Sequence, residues 1–451
     1  MRDARRSGDR DRRCGFVAGL AAGFALAWTA VAAGERPVED YAGSFRLESG
    51  EVLTGGYFAQ GTRIVPEGEE GSFLYVDVDG LAKGPLLFRR ESELVLRSLG
   101  PPDGATLEFV PGPDGGLDEV VWREEGRPPV RGARVYPHTT HRVAWRSADG
   151  TEIVGQLLVP DCPGPHPLMV LVGGSGPTVR HGATFDTHPL QLGIATLTYD
   201  KRGVHAEDWS EPGFETLAAD AAAALRWAVE RADVDPARAG YWGSSQGGWV
   251  TPIAATEEPA PAYLVVRAGP GVSSGEAFVH EVRQENRQEG LGGSDLDHAT
   301  ALLEEIQRMA TAGRPLAATD ALVAPYLDEP WYRTAFGEGP ISERWSATWW
   351  SWGAKNWPIG PEPYLARVDL PVLWFLAEYD QNVPLVPSRA ALARAFAASP
   401  GSDETIVVIE DADHGFFVTD PDGTRRYTPD YFGRLRDWLT ERGFTDEDCW
   451  P

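Results

Sequence analysis

The sequence predicts an α/β protein: a mostly parallel sheet with helices on both faces, interrupted by a helical cap and preceded by a small all-β domain. Three observations carry this. From residue 142 onward, short continuous apolar runs alternate with helical stretches, the pattern of a buried parallel sheet. Across residues 41–135 there are instead short alternating runs separated by Gly, Pro and Asp clusters, at the spacing of a barrel or sandwich. Segment 271–363 then breaks the strand–helix alternation for longer than a simple loop does.

In the first region the expected strands are Ser44–Leu47, Val52–Phe58, Phe73–Val78, Leu86–Phe88, Leu94–Leu96, Thr106–Val110 and Glu119–Trp122. No catalytic cluster stands among them, so this unit is expected to stabilise or partly cover its neighbour. In the second region, Arg142–Arg146 and Glu152–Val159 form a hairpin around Asp149-Gly150. The apolar runs Leu168–Val172, Ile194–Tyr199, Arg238–Trp242, Tyr263–Arg267, Val372–Ala377 and Thr405–Ile409 are the expected inner strands. Leu217–Arg231, Gln246–Ala255, Ser388–Ala398 and Tyr431–Arg442 are the helices between and after them. The interruption is helical in pattern, notably over Asp295–Ala312, and carries six tryptophans between positions 331 and 357. Of these, Trp349, Trp350 and Trp352 are candidates for an apolar substrate pocket; the alternative is that they pack the cap onto the body.

Charge narrows the function. The 451 residues carry 67 Asp and Glu against 41 Lys and Arg, a net charge of −26. Nucleic-acid binding depends on Lys and Arg neutralising phosphates, so a chain this acidic is not expected to bind nucleic acid or a polyanionic membrane surface. Three cysteines and no C-x-x-C pair exclude a disulfide-rich scaffold and suggest no zinc site.

Residues 1–13 carry six arginines, Cys14–Gly34 is uncharged, and the stretch ends in Ala30-Val31-Ala32-Ala33. This is the layout of a secretory signal peptide over residues 1–33, and it predicts export to the periplasm or beyond the cell. Left uncleaved, the same run is long enough for a membrane anchor. Removal leaves Cys162 and Cys449, which either form one disulfide tying the C-terminus to the body, as an oxidising compartment allows, or stay unrelated thiols.

The chemistry centres on Gly243-Ser244-Ser245-Gln246-Gly247, a G-x-S-x-G pattern. It follows an expected strand and opens an expected helix, the context in which the pattern forms a nucleophile elbow. Ser245 is the candidate nucleophile, and the backbone N–H of Gln246 can face a developing oxyanion. A serine hydroxyl needs a base, and the base needs an orienting carboxylate. Asp380 follows the strand at Val372–Ala377, and His414 follows the strand at Thr405–Ile409. Loops at the carboxyl ends of parallel strands open onto one side of the sheet, so Ser245, Asp380 and His414 can converge although 135 and 34 residues separate them. Glu378 is the fallback acid, and Asp411 and Asp413 are expected to shape the histidine loop. Gly173-Gly174-Ser175-Gly176-Pro177, directly after Leu168–Val172, is expected to supply the second oxyanion donor from Gly174 or Ser175. It lacks the Gly-Lys-Ser/Thr ending of a phosphate loop.

With these residues assembled, the sequence resembles the α/β-hydrolase superfamily. More narrowly it resembles secreted bacterial serine esterases, dienelactone-hydrolase-like proteins and prolyl-oligopeptidase-like catalytic domains. The resemblance rests on Gly173–Pro177, Tyr199-Asp200-Lys201-Arg202-Gly203, Gly243–Gly247, the Asp380 loop and Asp413-His414-Gly415-Phe416, and it covers about residues 140–445. It does not extend to residues 41–135. It implies an acyl-enzyme route: Ser245 attacks a carbonyl, His414 relays the proton and Asp380 holds its tautomer, with no metal or organic cofactor. In such proteins the Asp200–Gly203 turn is structural. Dienelactone hydrolases proper use a cysteine nucleophile, so the serine here points to ester chemistry on another substrate.

The leading expectation is therefore hydrolysis of a small or medium carboxylic ester. A serine peptidase acting on short peptides would use the same triad. An acyltransferase and a non-catalytic binding protein on this fold are the remaining readings.

Overall fold

The computed structural model describes residues 36, 38–58, 72–77, 86–98, 104–180, 188–206, 209–399, 403–419, 425–446 and 448–450. The expected signal segment, residues 1–33, lies outside them.

The N-terminal unit is a closed eight-stranded barrel. Its strands are β1 (Gly43–Leu47), β2 (Val52–Phe58), β3 (Ser72–Asp77), β4 (Leu86–Ser92), β5 (Val95–Ser98), β6 (Thr106–Val110), β7 (Glu119–Arg123) and β8 (Val130–Val135). Each pairs antiparallel with the next, and β8 returns to β1 with Phe45 opposite Arg134. Alternation fills the interior, as eight strands require: along β6, Leu107 and Phe109 are buried while their neighbours are half-exposed. Tyr41 and Phe45 both meet Phe109 edge-to-face, at 5.2 and 5.7 Å between centroids, the favoured arrangement of ring quadrupoles.

Strand β8 has no counterpart among the seven expected strands. The reason is Gly132. A Cβ there would meet Leu47 Cδ2 at 2.7 Å and Val120 Cγ2 at 3.1 Å, so the seam where the barrel closes needs a glycine where alternation leads one to look for a large apolar residue.

The second unit is an eight-stranded mixed sheet. It comprises β9 (His138–Arg146), β10 (Glu152–Pro160), β11 (His166–Val172), β12 (Ala195–Tyr199), β13 (Val234–Ser244), β14 (Leu264–Arg267), β15 (Val372–Ala377) and β16 (Glu404–Ile409). Their spatial order is β16-β15-β14-β13-β11-β12-β10-β9. The hairpin β9–β10 is antiparallel and β10 runs antiparallel to β12; every other pair is parallel. Strands β11 and β15 are buried throughout, which is why they read as unbroken apolar runs. Helices α1 (Phe214–Val229) and α2 (Gly247–Ala254) belong to the core on one face of the sheet. This is the α/β-hydrolase fold. The chain leaves β11 for β12 on one side and reaches β13 on the other, so the loops after β11 and β13 flank the switch point where such sheets hold their ligands.

Seven α-helices separate β14 from β15: α3 (Ser274–Gln288), α4 (Gly293–Thr311), α5 (Thr319–Val323), α6 (Pro330–Phe336), α7 (Ile341–Arg344), α8 (Ala347–Asn356) and α9 (Glu362–Leu365). Helix α3 starts with a capping box in which Ser273 and Glu276 satisfy each other's amides. The segment has an apolar cluster of its own, including Leu296, Leu303, Ile306, Tyr332 and Trp350. It is fastened to the sheet unit where Asn356 Oδ1 accepts from the Phe214 amide at 2.8 Å, serving an otherwise open N-terminal donor of α1.

Helix α10 (Leu385–Ala397) follows β15. A small hairpin, β17 (Phe417–Thr419) and β18 (Arg425–Tyr427), then leads into α11 (Pro429–Glu441), which covers the opposite face of the sheet. Cys162 and Cys449 form a disulfide, with their Cα atoms 5.3 Å apart across 287 residues of sequence. Beside it, Trp450 donates to the Leu190 carbonyl at 2.7 Å and packs edge-on against Tyr136. Gln191 donates to Thr54 at 2.8 Å, joining barrel and sheet. Among the described residues, no helix is long and apolar enough to cross a membrane.

Candidate active site

Register places the functional loops side by side. Val172 pairs with Gly243, Ser244 with Arg267, Arg267 with Phe375, and Ala377 with Ile409. The loops after β11, β13, β15 and β16 therefore leave the sheet on the same side.

Ser245 occupies the turn between β13 and α2 with φ of +53°, a backbone region that non-glycine residues enter at a cost. The neighbouring glycines are required by space. A Cβ at Gly243 would meet the Gly247 carbonyl at 2.7 Å, and one at Gly247 would meet the Val172 carbonyl at 2.7 Å. The Ser245 amide donates to the Arg267 carbonyl at 2.9 Å, which fixes the elbow to β14.

His414 Nε2 lies 3.0 Å from Ser245 Oγ. Its Nδ1 lies 3.0 and 2.9 Å from the two carboxylate oxygens of Asp380. A carboxylate accepts only, so Nδ1 carries the proton and Nε2 is left to accept from the serine hydroxyl. The Asp380 side chain is fully buried, and its Oδ1 accepts from the amides of Asn382 and Val383, both at 2.8 Å. Burial disfavours the charged imidazolium of His414, but the charge and hydrogen bond of Asp380 outweigh it, and the pKa is raised above 6.5. Arg267 opposes the rise and Glu281 adds to it.

The other acids of these loops serve the backbone. Glu378 accepts from the Asp411 amide at 3.0 Å. Asp413 accepts from Gly415 and Phe417, at 2.8 and 3.1 Å, and so shapes the histidine turn.

The glycine loop faces Ser245. A Cβ at Gly174 would sit 3.3 Å from Ser245 Cβ and 3.9 Å from its Oγ, so the absence of a side chain lets the backbone approach. Ser175 is exposed and Gln246 is buried at the start of α2. The Gln246 amide precedes the first intrahelical bonds of α2 and has no i−4 carbonyl to serve. The tryptophans lie further off in sequence; Trp350 packs within the cap, and Trp352 packs the cap onto the body. Trp350 is 6% exposed and donates to the Arg314 carbonyl. Trp349 and Trp352 are half-buried and stack at 4.9 Å, and Trp352 meets Phe214 edge-on.

Arg267, Lys201, Glu211 and Glu281 went unnoticed or unassigned in the sequence. Arg267 donates to Ser244 Oγ at 3.2 Å and to the Gly415 carbonyl at 2.6 Å. Lys201, from the turn expected to be structural, reaches Gly174, Glu211 and Gln246. Glu281 of the cap accepts from Asn382 beside the acid loop. Burial pushes the Glu281 carboxyl up to about 7, with Glu285 adding to the rise and His414 opposing it. The Asp200–Gly203 turn flags Lys201 and Glu211 only if a buried ammonium is anticipated, and nothing in the cap's helical pattern singles out Glu281.

Residues 149–415, more than half of the chain, match the model of the X-Pro dipeptidyl-peptidase (S15) family. The chain belongs to that family. The match spans β10 to the histidine loop and leaves the barrel outside it. Among curated proteins, uncharacterized proteins from two strains of Mycobacterium tuberculosis, CDC 1551 and H37Rv, are each 29% identical over 160 residues. That stretch is 34% of this chain, and the chain spans 56% of those relatives' length. Among solved structures, similar ones include an esterase from Pyrococcus furiosus (14% identity, TM-score 0.43, 68% of this chain and 92% of the other). Another is a dienelactone hydrolase from Anabaena variabilis (17% identity, TM-score 0.38, 67% of this chain and 98% of the other).

Proposed function

We propose that this S15-family chain is a serine hydrolase that cleaves carboxylic esters through an acyl-enzyme. The observation that carries the reading is the continuous relay from Ser245 Oγ through His414 to the buried Asp380. Ser245 attacks the substrate carbonyl while His414 Nε2 takes its proton. The same nitrogen then returns that proton to the departing alkoxide, so the alcohol leaves and the acyl group stays on Ser245. Water, deprotonated by His414, repeats the attack and releases the acid. Backbone N–H groups of Gln246 and of the Gly174–Ser175 loop take the charge on the tetrahedral oxygen. Export fits this reading: the Arg-rich, then uncharged N-terminal sequence and the Cys162–Cys449 disulfide both suit an oxidising compartment.

A second reading, a serine peptidase on short peptides, draws support from Glu281 as well as from the family. A half-buried carboxylate close enough to feel His414 and Asp380 is suited to receive a substrate's free amine.

The deciding experiment sets p-nitrophenyl esters of increasing acyl length beside aminoacyl and dipeptidyl anilides, for the wild type and Ser245→Ala. Ser245-dependent turnover of esters alone supports the esterase. Efficient Ser245-dependent anilide cleavage transfers the reading to the peptidase. Equal turnover by a folded Ser245→Ala variant sinks both.

A further inference from the structure

We propose that Lys201 is a positioning residue that sets and polarises the oxyanion hole; this rests on the serine-hydrolase reading above. Lys201 is 5% exposed. Its ammonium has three protons to donate, and three acceptors surround it: the Gly174 carbonyl at 2.7 Å, Glu211 Oε1 at 2.9 Å and Gln246 Oε1 at 3.0 Å. Two of these belong to the two segments that supply the oxyanion donors. The third, Glu211, uses its other oxygen to accept from the Gly176 amide at 2.8 Å.

The geometry assigns a direction to each donor. In a trans peptide the C=O and N–H point opposite ways. An ammonium gripping the Gly174 carbonyl therefore turns the Ser175 N–H away from Lys201. The Gly176 amide is engaged by Glu211, so Ser175, not Gly176, offers the loop's donor. On the far side, the hold on Gln246 pins the residue whose own N–H is the second donor. One side chain thus spans both halves of the hole.

The bond to Gly174 is also charge-assisted, and a hydrogen bond accepted at a carbonyl polarises the N–H of the same peptide. Ser175 becomes a better donor as negative charge builds on the substrate oxygen. Such a contribution belongs to the transition state more than to the bound substrate, so it is read in kcat and not in KM. Glu211 balances the buried charge, which a lone ammonium in this position could not sustain.

The test compares wild type, Lys201→Met and Glu211→Gln on one p-nitrophenyl ester. It measures kcat, KM, the Ki of an aryl trifluoromethyl ketone that forms a tetrahedral oxyanion on Ser245, and thermal unfolding. Removing a single oxyanion donor costs roughly 10²–10³ in kcat. Loss of the residue that aims it is expected to cost about 10–10² in kcat, with KM within about twofold and ketone affinity weakened in parallel. Glu211→Gln removes the charge that balances Lys201 and leaves one acceptor oxygen for two donors, Lys201 and the Gly176 amide, and should show the same pattern at about 5–10-fold; it decides the matter if Lys201→Met does not fold. A folded variant with wild-type kcat and ketone affinity overturns the proposal, as does a loss confined to KM. If the wild type shows no Ser245-dependent turnover, the serine-hydrolase reading itself fails; if it turns over and neither variant alters kcat, only the role of Lys201 fails.

Discussion

The guanidinium of Arg267 donates to the carbonyl of Gly415 at 2.6 Å. The strand beside Ser245 thereby holds the residue that follows the catalytic-base candidate. The same guanidinium lies 4.7 Å from the Phe416 ring centroid, a cation–π contact that restrains the turn further. Arg267→Met should lower kcat by about 10²-fold, since small misplacements of a catalytic group carry losses of that order. It should also move the acid limb of the rate profile upward, because Arg267 holds the His414 pKa down. A purely structural role would leave that midpoint in place.

Removing the proposed nucleophile and misdirecting the proposed base have separable signatures. Ser245→Ala should abolish ester turnover and fluorophosphonate labelling while leaving the unfolding temperature near that of the wild type. Asp380→Asn should retain labelling at a strongly reduced rate. An amide in place of the carboxylate permits the wrong imidazole tautomer, which in a related arrangement costs about 10⁴ in kcat. Labelling kinetics and circular dichroism together distinguish loss of chemistry from loss of fold.

The pH dependence has a definite sign. In the proposed mechanism His414 acts as a base in its neutral form, so kcat/KM should fall as the pH drops through its pKa. Asp380 raises that pKa above 6.5 despite burial, so the half-maximal point should lie above 6.5. In Asp380→Asn the residual activity should have its midpoint at lower pH, because burial and Arg267 both disfavour the charged ring. A midpoint that stays put in that variant would count against His414 as the titrating group.

Glu281 separates the two substrate classes. If the carboxylate receives an amine, Glu281→Gln should raise KM for aminoacyl anilides by about tenfold, the order expected for losing one charge-assisted partner. The KM for neutral p-nitrophenyl esters should stay within about twofold. The acid limb should meanwhile shift to lower pH, because Glu281 contributes to the raised His414 pKa. Equal KM changes for both substrate classes would remove the amine-binding role.

The disulfide closes a loop of 287 residues. The chain-entropy model gives a ceiling of roughly 5–6 kcal/mol for a loop of that size, and about 2–4 kcal/mol is the usual yield. Paired Cys162→Ser and Cys449→Ser substitutions should lower the unfolding temperature measurably without altering kcat, since the bridge joins the C-terminal tail near Leu190 and not the triad loops. Calorimetry with and without reductant checks this.

The parts of the fold that burial alone dictates were legible in the sequence. Val372–Ala377 is fully buried, reads as a continuous apolar run, and forms a strand over those residues. The turn between β13 and α2 was legible because sterics leave only glycine at 243 and 247. What sequence did not disclose follows from long-range pairing. Arg267 ends a strand like any residue flanking an apolar run, and only register puts its guanidinium against a loop 148 residues away. Lys201 sits in a turn whose neighbours Asp200 and Arg202 are engaged in structural ion pairs with Arg180 and Asp220, so nothing local sets it apart. The tryptophans of 349–352 announced an aromatic cluster, but composition carries no direction, and Trp350 lies in the cap's own core.

Closure of the N-terminal barrel has a consequence for what that unit can meet. With β1 paired to both β2 and β8, the described strands of the barrel leave no unpaired edge onto which a foreign segment could be laid. Its outer wall carries opposed charges in pairs, Arg97 with Glu91, Arg123 with Glu108 and Arg131 with Glu119. Contact with a partner along these strands therefore runs through side chains and not through open backbone.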